Sequence, residues 1–454
     1  MSSTDARSPA AASPAGLTAE LARRAGATRF DALPGEVVEL ARQCLLDWLG
    51  VTLAGAGEPA VGILLDEVDE GPATVVGHRR GAGVLDAALV NGTGSHALDY
   101  DDVNQAMFGH PSVPIMAGLL AQAESVGARG ADLVTAFVAG YELECSLGRA
   151  LGVEHYRRGF HTTATAGTFG AAAACSRLMA SAPSVLEQAL GIAATQAAGL
   201  KSMFGTMCKP LHAGAASRAG LLAARLAARG FTSAPAAVET EQGFAATHSQ
   251  SFEAARGLQE PAGGWHLLSN LFKYHAACFQ THSTIEGLRR MREREGIEVS
   301  DVAEVTVHAD ELQLGMCNIA EPVTGLQAKF SLRQTATFAL AGLDTASADT
   351  YSEATVARPE LIRLRSAVVV VPDGQPGPTR VDVVLRDGRR LSAAHDVSVP
   401  ESDLALQRRR LEAKFAALAT PVVGGDAAAA LLEAVGRLED LDDVRPLLAL
   451  TRPA

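Results

Sequence analysis

Residues 37–48, VVELARQCLLDW, repeat apolar side chains at intervals of three and four positions. Such spacing lines one face of an α-helix, and Pro34, just before the stretch, suits the first turn of a helix. Many residues of similar stretches are Ala or Gly, which let helix axes approach closely, so we expect a body of packed helices. The same spacing predicts helices at residues 88–98, 111–126, 131–151, 163–180 and 213–229.

The pattern changes after Gly264, where shorter apolar stretches read as strands. Asp387-Gly388 between the last two stretches is a strong signal for a hairpin turn. Helical patterns recur around Glu286 and nearer the C-terminus. The predicted strands are residues 302–308, 366–371, 380–385 and 389–397, and the later predicted helices are 330–340, 353–361, 404–418 and 427–438.

These patterns predict a mainly α fold. A large helical domain would be built from residues 17–268 and 404–454, with a smaller α+β domain inserted at residues 269–403. Residues 1–16, rich in Ser, Ala and Pro, lack the apolar core of a secretory signal and are predicted to form a disordered tail.

Composition excludes several classes of function. The formal net charge of -12 repels phosphate backbones and anionic lipids, so we expect neither nucleic acid nor a membrane as a partner. The 6 cysteines form no CxxC pair, which argues against a zinc knuckle or disulfide framework and favours a reducing, cytoplasmic location. No uninterrupted apolar run approaches the ~18 residues that span a bilayer. An anionic substrate would need a local cationic pocket.

The densest polar segment is residues 91–112, NGTGSHALDYDDVNQAMFGHPS. If the preceding helix continues through it, His96, Asp99 and Asp102 share one face, and His110 lies just before the next helix. Three interpretations stay open. The segment is a metal site, a solvated helix end with aspartate caps, or part of a cleft where His and carboxylate groups move a proton or orient a substrate.

Two further segments place a polar residue near the start of a predicted helix. His161 follows the sequence RRGF, where it is either a cap or part of an anion site at the positive end of the helix dipole. Lys209 lies in the Gly-flanked loop GTMCKPLHAG, where either solvent or a carboxylate partner would balance its charge.

A fourth segment, residues 273–282, reads KYHAACFQTH and lies near the predicted domain boundary. Clefts between domains commonly bind small ligands, which adds weight to Lys273. Cys278 is either a nucleophile with His275 or His282 as its base, or a partly buried, inert thiol.

Together these segments resemble the MmgE/PrpD family, which includes 2-methylcitrate dehydratase, cis-aconitate decarboxylase and iminodisuccinate epimerase. The resemblance covers residues 17–418 and rests on NGxxxHxxDxDD, HPS, RGFHxT and GTMxKPLHxG, in this order, followed by Lys273 and Cys278. It implies an α+β lid domain on a helical domain, a homodimer, and an active site in the cleft between the domains. It also implies that neither a metal nor an organic cofactor is needed.

The resemblance also assigns roles to individual residues. Asp99, His110 and His161 match the catalytic positions of the family, and Lys209 and Lys273 match its two substrate-binding lysines. The expected substrate is a small anionic polycarboxylate.

This chain departs from the decarboxylase-type members at three positions. Val103 stands where they have Thr, Cys278 where they have His, and Gln334 where they have Tyr. We expect Cys278 and Gln334 to contact the substrate, and the lost hydroxyl, imidazole and phenol count against cis-aconitate decarboxylation. An iminodisuccinate-epimerase-like member also lacks that Tyr, so the departures do not imply an inactive chain.

The reactions of this family remove or add a proton at a carbon next to a carboxylate. Cationic side chains stabilise the negative charge that develops on the carboxylate oxygens, a role we expect for Lys209 and Lys273. His110 is the expected proton-transfer group, with Asp99 orienting a neighbouring group. The first hypothesis is a hydro-lyase that acts on 2-methylcitrate or a related acid. The alternatives are an epimerase of an iminodisuccinate-like dicarboxylate and an inactive binding relative.

Overall fold

The computed structural model describes residues 16–373 and 378–453. Within these ranges the fold is mainly α-helical, with a 4-stranded sheet in the C-terminal half, which confirms the predicted fold class. The tail predicted for residues 1–16 lies outside the described residues, apart from Gly16.

The first helical piece is built around one helix that is buried on every face. This helix, α8 below, is buried from Thr162 to Ser176 and packs against α5, α6, α9 and α10. A helix with small or apolar residues all round can be surrounded in this way. The helices of this piece are α1 (Leu17–Ala27), α2 (Gly35–Gly55), α3 (Pro59–Glu67), α4 (Val84–His96), α5 (Ser112–Val126), α6 (Gly130–Leu151), α7 (Val153–Arg157), α8 (Thr162–Leu178), α9 (Pro183–Ala194), α10 (Cys208–Ala228), α11 (Phe244–His248) and α12 (Ala254–Leu258).

The α+β piece follows, and its sheet has the strand order β2-β1-β3-β4. Strand β1 pairs parallel with β2 and antiparallel with β3, which pairs antiparallel with β4. The elements are α13 (His282–Glu295), β1 (Val302–Ala309), α14 (Glu311–Met316), α15 (Gly325–Lys329), α16 (Leu332–Leu340), α17 (Glu353–Val356), α18 (Pro359–Ser366), β2 (Val368–Pro372), β3 (Thr379–Leu385) and β4 (Arg390–His395).

One face of this sheet forms a second hydrophobic core. Val305 and Val307 on β1 and Val383 on β3 are fully buried among side chains of α13 and α16. The hairpin between β3 and β4 turns at the predicted Asp387-Gly388, where Gly388 has a φ of 91°. The helix predicted over residues 353–361 is instead two short helices, α17 and α18, because Pro359 disfavours a helical conformation of the residue before it and suits the first turn of a helix, where it lies in α18.

The C-terminal helices return to the first piece. They are α19 (Leu404–Val423), α20 (Gly425–Gly436) and α21 (Arg445–Ala449). Leu411 and Phe415 on α19 belong to the same buried cluster as Leu45 and Leu49 on α2. The helical body is therefore built from both ends of the described chain, while domain boundaries at residues 268 and 403 stay a prediction.

Among the described residues, no single helix has the length and apolar character needed to cross a membrane. Helices α2 and α3 meet those criteria only as a pair, with a bend of 83° between them.

Candidate active site

A cavity of about 420 Å³ lies between the helical piece and the α+β piece. The helical side contributes Asp99, His110, His161 and Lys209, and Lys273 comes from the segment that joins the two pieces. The α+β side is closed by uncharged residues and two aspartates: Cys278, Phe279, Gln280, Ser283, Asp310, Gln313, Met316, Phe330, Thr379, Asp396, Val397 and Ser398. The five predicted catalytic and lysine positions thus meet at one cavity.

Asp99 lies in a turn just after α4. The helix ends at His96, and Asp99 adopts a φ of 52°, a left-handed conformation that Asp tolerates better than most residues. Its Oδ1 accepts hydrogen bonds from Lys209 Nζ at 2.5 Å and from Lys273 Nζ at 3.1 Å. Burial by itself raises the pKa of Asp99, but the two ammonium groups outweigh burial and hold it well below its usual range. Asp99 is therefore ionised.

A close contact between two helices places Asp99 beside Lys209. The C-terminal end of α4 and the N-terminal end of α10 meet because Gly214 has no side chain. A Cβ at Gly214 would lie 2.2 Å from the Leu89 carbonyl oxygen, closer than any real contact. Lys209 is at the first turn of α10, and its Nζ lies 5.3 Å above the centre of the Phe204 ring.

His110 is held from one side so that Nε2 faces the cavity. Its Nδ1 lies 2.8 Å from the backbone carbonyl oxygen of Asp102 and 3.0 Å from Oδ2 of Asp101. Both oxygens are acceptors, so Nδ1 carries a hydrogen and Nε2 of the neutral ring is left as a proton acceptor. Nε2 lies 3.8 Å from Oδ1 of Asp99. This is the arrangement of a general base whose other ring nitrogen is oriented by a carboxylate.

The orienting carboxylate belongs to Asp101, which sequence reasoning missed. Its buried side chain lies between His110 and His96, whose Nδ1 is 2.9 Å from Oδ1. Burial by itself raises the pKa of Asp101, but the two histidines outweigh it and hold the pKa well below its usual range. The sequence DYDD contains the signal, but the choice among its aspartates depended on where α4 ends.

The predicted common face of His96, Asp99 and Asp102 is wrong. Because the helix ends at His96, Asp102 points the other way and accepts a hydrogen bond at 2.6 Å from the Ser112 hydroxyl at the start of α5. Burial raises the pKa of Asp102 to about 7, partly offset by the bond from Ser112. Asp102 connects two elements and does not line the cavity.

The turn also brings together a set of groups of the kind that binds metals. One ligand atom each from His96, Asp99, Asp101 and His110 lie within 4.8 Å of one another. However, Oδ1 of Asp99 already accepts from two ammonium groups, whose positive charge opposes a cation at this point. The residues present fit an anion better than a cation, and a metal-free site stays a prediction.

His161 is buried at the position just before α8, and its side chain makes no capping hydrogen bond to that helix. Its Nδ1 lies 3.1 Å from Nδ1 of His212, a residue of α10 that sequence reasoning did not single out. Burial lowers the pKa of His161 well below its usual range, and positive charge nearby acts in the same direction. His161 therefore lines the cavity as a neutral ring.

Cys278 and Gln334 occupy different surroundings. Cys278 is buried at the cavity, where a hydrogen bond with Cys317 holds its pKa below the usual value against the effect of burial. Gln334 is fully buried outside the cavity lining, and its Oε1 accepts from Arg365 at 2.7 Å. A direct contact of Gln334 with a ligand in this cavity stays a prediction without geometric support.

The two candidate bases for Cys278, His275 and His282, make their hydrogen bonds to other described residues. His275 Nε2 lies 3.2 Å from Oε1 of Glu286, and His282 Nε2 lies 3.1 Å from the backbone oxygen of Ala277. The nucleophile interpretation of Cys278 therefore has no histidine base in hydrogen-bond contact.

A second lysine–aspartate cluster lies behind the cavity and was also missed. Lys414 on α19 donates to Oδ1 of Asp47 on α2 at 2.6 Å. It also donates to the backbone oxygens of Tyr100 at 2.8 Å and Lys273 at 2.9 Å. Helix α19 thus fixes the chain on both sides of the Asp99 cluster.

A second cavity, of about 380 Å³, adjoins the first across Asp396 and Val397, which line both. Its Arg290 and Arg410 both pair with Glu286, at 3.3 and 3.0 Å. Each of these two arginines therefore already has a carboxylate partner.

Comparison with known families places most of the described chain in one family. A family model described as the MmgE/PrpD N-terminal domain matches residues 19–256, and one described as the MmgE/PrpD C-terminal domain matches residues 275–440. Together the two matches span most of the chain and both of its pieces.

Curated relatives point to the same group. A cis-aconitate decarboxylase of Aspergillus terreus is 27% identical over 300 residues, which cover 62% of this chain and 61% of that protein. A cis-aconitate decarboxylase of Homo sapiens is 28% identical over 387 residues, 81% of this chain and 79% of that protein. One of Mus musculus is 26% identical over 385 residues, 81% and 78% of the two chains. The chain therefore matches less than two thirds of the length of the fungal relative.

Proposed function

The chain belongs to the MmgE/PrpD family, and from that premise we propose that it is a lyase of a small polycarboxylate, similar to 2-methylcitrate dehydratase. It would act by proton transfer next to a carboxylate, with no metal or organic cofactor. One observation carries this proposal. Two ammonium groups, Lys209 and Lys273, meet the Asp99 carboxylate at the cavity wall, and Oδ1 of Asp99 is 3.8 Å from His110 Nε2.

The lysines supply the anion site. An ammonium group has three hydrogens to donate, and Asp99 is the single hydrogen-bond acceptor of Lys209 Nζ among the described residues. Donors that remain free at a shielded cavity favour a carboxylate of the substrate. When a carbon next to that carboxylate loses its proton, negative charge moves onto the same oxygens, and the bound ammonium stabilises it.

His110 would remove the proton. Its Nε2 accepts the proton while Nδ1 donates to Asp101, whose ionised carboxylate stabilises the imidazolium that forms. In a dehydration, hydroxide then leaves from the neighbouring carbon and takes up the proton that the imidazolium of His110 returns, so that water is the product released. Removal of the proton by His110 is a step that dehydration and epimerisation share.

Epimerisation is the second candidate because another imidazole lines the same cavity. His161 is neutral, so it too can exchange a proton, and an epimerase needs the proton returned on the opposite face of the carbon. No leaving group is required in that reaction. An inactive binding relative is the third interpretation, and it differs from the other two in leaving every carbon-bound proton in place.

The test is incubation in deuterated water with 2-methylcitrate, citrate, cis-aconitate and iminodisuccinate, followed by NMR, with a chelator present throughout. We expect loss of the α-proton signal together with an unsaturated product for a hydroxy acid. Exchange without a new product would indicate epimerisation, and release of carbon dioxide would indicate decarboxylation. No exchange with any acid would contradict both enzymatic proposals. Activity that is lost with the chelator and restored by a divalent metal would contradict the metal-free site.

A further inference from the structure

The lysines that line the cavity are confined to one part of it. Both lysines of the lining contact the same oxygen of Asp99, so the cationic donors converge on one point. Across the cavity, the described lining of the α+β side contains no lysine or arginine. It contains two carboxylates instead, Asp310 and Asp396. A ligand with negative charge at both ends would place one end beside these aspartates.

The same side offers apolar surface. Phe279, Met316 and Phe330 all line the cavity, and none of the three is fully buried. Met316 is the last residue of α14, and Phe330 follows α15, so both lie at helix ends on the rim of the second hydrophobic core. From the helical side Val103 and Phe204 extend the apolar surface toward Lys209. Uncovered apolar surface in a cavity is stabilised by an apolar ligand group.

We infer that the substrate carries its carboxylates at one end and an uncharged, apolar substituent larger than a methyl group at the other. This inference rests on the proposed function, because it takes the lysine cluster as the carboxylate site. It narrows the substrate class from polycarboxylates in general to alkyl- or aryl-substituted ones. A cavity of about 420 Å³ has room for such a substituent beyond the space that a small polycarboxylate fills.

The test is the affinity of the intact protein for succinate, methylsuccinate, butylsuccinate and hexylsuccinate, measured by titration calorimetry, with citrate as the tricarboxylate comparator. Each added methylene group that reaches the apolar side should lower Kd by about fourfold, up to the length at which that side is covered. Equal or weaker binding of the longer acids, or tighter binding of citrate than of hexylsuccinate, would overturn the inference.

A charge placed on the apolar side sharpens the test. Met316→Lys should weaken the binding of hexylsuccinate by about tenfold or more. It should tighten the binding of a hexylsuccinate analogue that carries a carboxylate at the end of its alkyl chain. Val126→Lys is the matched control, since Val126 is also the last residue of a helix, is 60% exposed and does not line the cavity. An unchanged preference in Met316→Lys would overturn the inference.

Affinity and chemistry separate the two proposals. If the alkyl series binds as expected but no acid exchanges its α-proton, the substrate class stands and the lyase function fails. If α-protons exchange but chain length has no effect on Kd, the lyase function stands and the substrate class fails.

Discussion

Two buried clusters of lysine and aspartate lie side by side in this molecule, and their ammonium groups are used differently. Lys414 has three hydrogen-bond acceptors, one for each of its hydrogens: the Asp47 carboxylate and two backbone oxygens. Lys209 has one, Oδ1 of Asp99, among the described residues. In the cluster of Lys414, one lysine pairs with one aspartate. In the cluster of Asp99, two lysines pair with one aspartate.

The pKa shifts of the two clusters run in opposite directions. Burial raises the pKa of Asp47 and lowers that of Lys414, so desolvation dominates the balanced pair. In the other cluster, attraction outweighs burial, and the pKa of Asp99 falls while that of Lys273 rises. A saturated pair of this kind joins elements, whereas a cluster with excess positive charge and free donors is prepared for an anion.

The largest expected effect is that of removing His110, the proposed base beside the Asp99 cluster. His110→Ala should lower turnover by about 100-fold or more, because proton transfer by a positioned side chain commonly contributes that much. The Kd of the substrate should change little. Single-turnover kinetics and α-proton exchange measure the effect. His308→Ala is the control, since His308 also pairs with a carboxylate, Asp382 at 2.7 Å, but lies outside the cavity lining. Near-normal exchange in His110→Ala would transfer the role to His161.

Removal of the saturated lysine should affect stability. Lys414→Met leaves Asp47 without its partner in a buried position, and we expect the free energy of unfolding to fall by about 3–5 kcal/mol. Denaturant titration measures the loss. The double variant Asp47→Asn, Lys414→Met should recover part of it, because the uncompensated carboxylate is gone. A single variant as stable as the wild type would show that the pair is not structural.

The same substitution at the other lysine should affect binding. Lys209→Met leaves Asp99 paired with Lys273, so stability should change less than in Lys414→Met. Binding of a carboxylate ligand should weaken by about 2–3 kcal/mol, as for the loss of a charge-assisted hydrogen bond in a shielded site. Calorimetry with butylsuccinate measures the change. Equal losses of affinity in the two lysine variants would remove the distinction between the clusters.

The smallest expected effect is a dependence of stability on pH, through buried histidines. Burial lowers the pKa to about 4 for His96, His155 and His266, and further for His161 and His282. Between pH about 6.5 and about 4 the unfolded chain protonates these histidines and the folded chain does not, so stability falls as the pH drops. Four carboxyl groups whose pKa burial raises act in the opposite direction but are fewer: Asp102 and Glu142, raised to about 7, and Asp47 and Glu144. Thermal unfolding at pH 7 and pH 5 should differ by roughly a few °C, with the lower midpoint at pH 5; a higher midpoint at pH 5 would contradict this.

The elements that sequence predicts well are those specified by local chemistry. The helical period of residues 37–48 and the turn at Asp387-Gly388 both appear where expected, since each depends on neighbouring residues alone. The single helix predicted over residues 353–361 is wrong for a local reason as well, because Pro359 interrupts a stretch whose apolar spacing is helical.

The candidate site was predicted in part. The motifs locate Asp99, His110 and Lys209 but predict Asp99 as the orienting carboxylate. Asp101 takes that position, because the left-handed turn at Asp99 changes which side chains face inward. A single left-handed residue leaves no repeating pattern of apolar residues in the sequence. Lys414 lies far along the chain from the residues it joins, and no local pattern connects it to Asp47. Contacts between distant segments are decided by packing, which one sequence does not display.

The hydrogen bonds of Lys414 have a consequence for protein synthesis. Asp47, Tyr100 and Lys273 emerge from the ribosome well before Lys414, which then joins all three. All the residues that line the cavity precede Lys414 in the chain. A chain interrupted inside the α+β piece therefore has an Asp47 without its Lys414 partner, and it lacks the hydrogen bonds from Lys414 to the backbone oxygens of Tyr100 and Lys273. We expect such truncated chains to bind an anion less tightly than the full chain does.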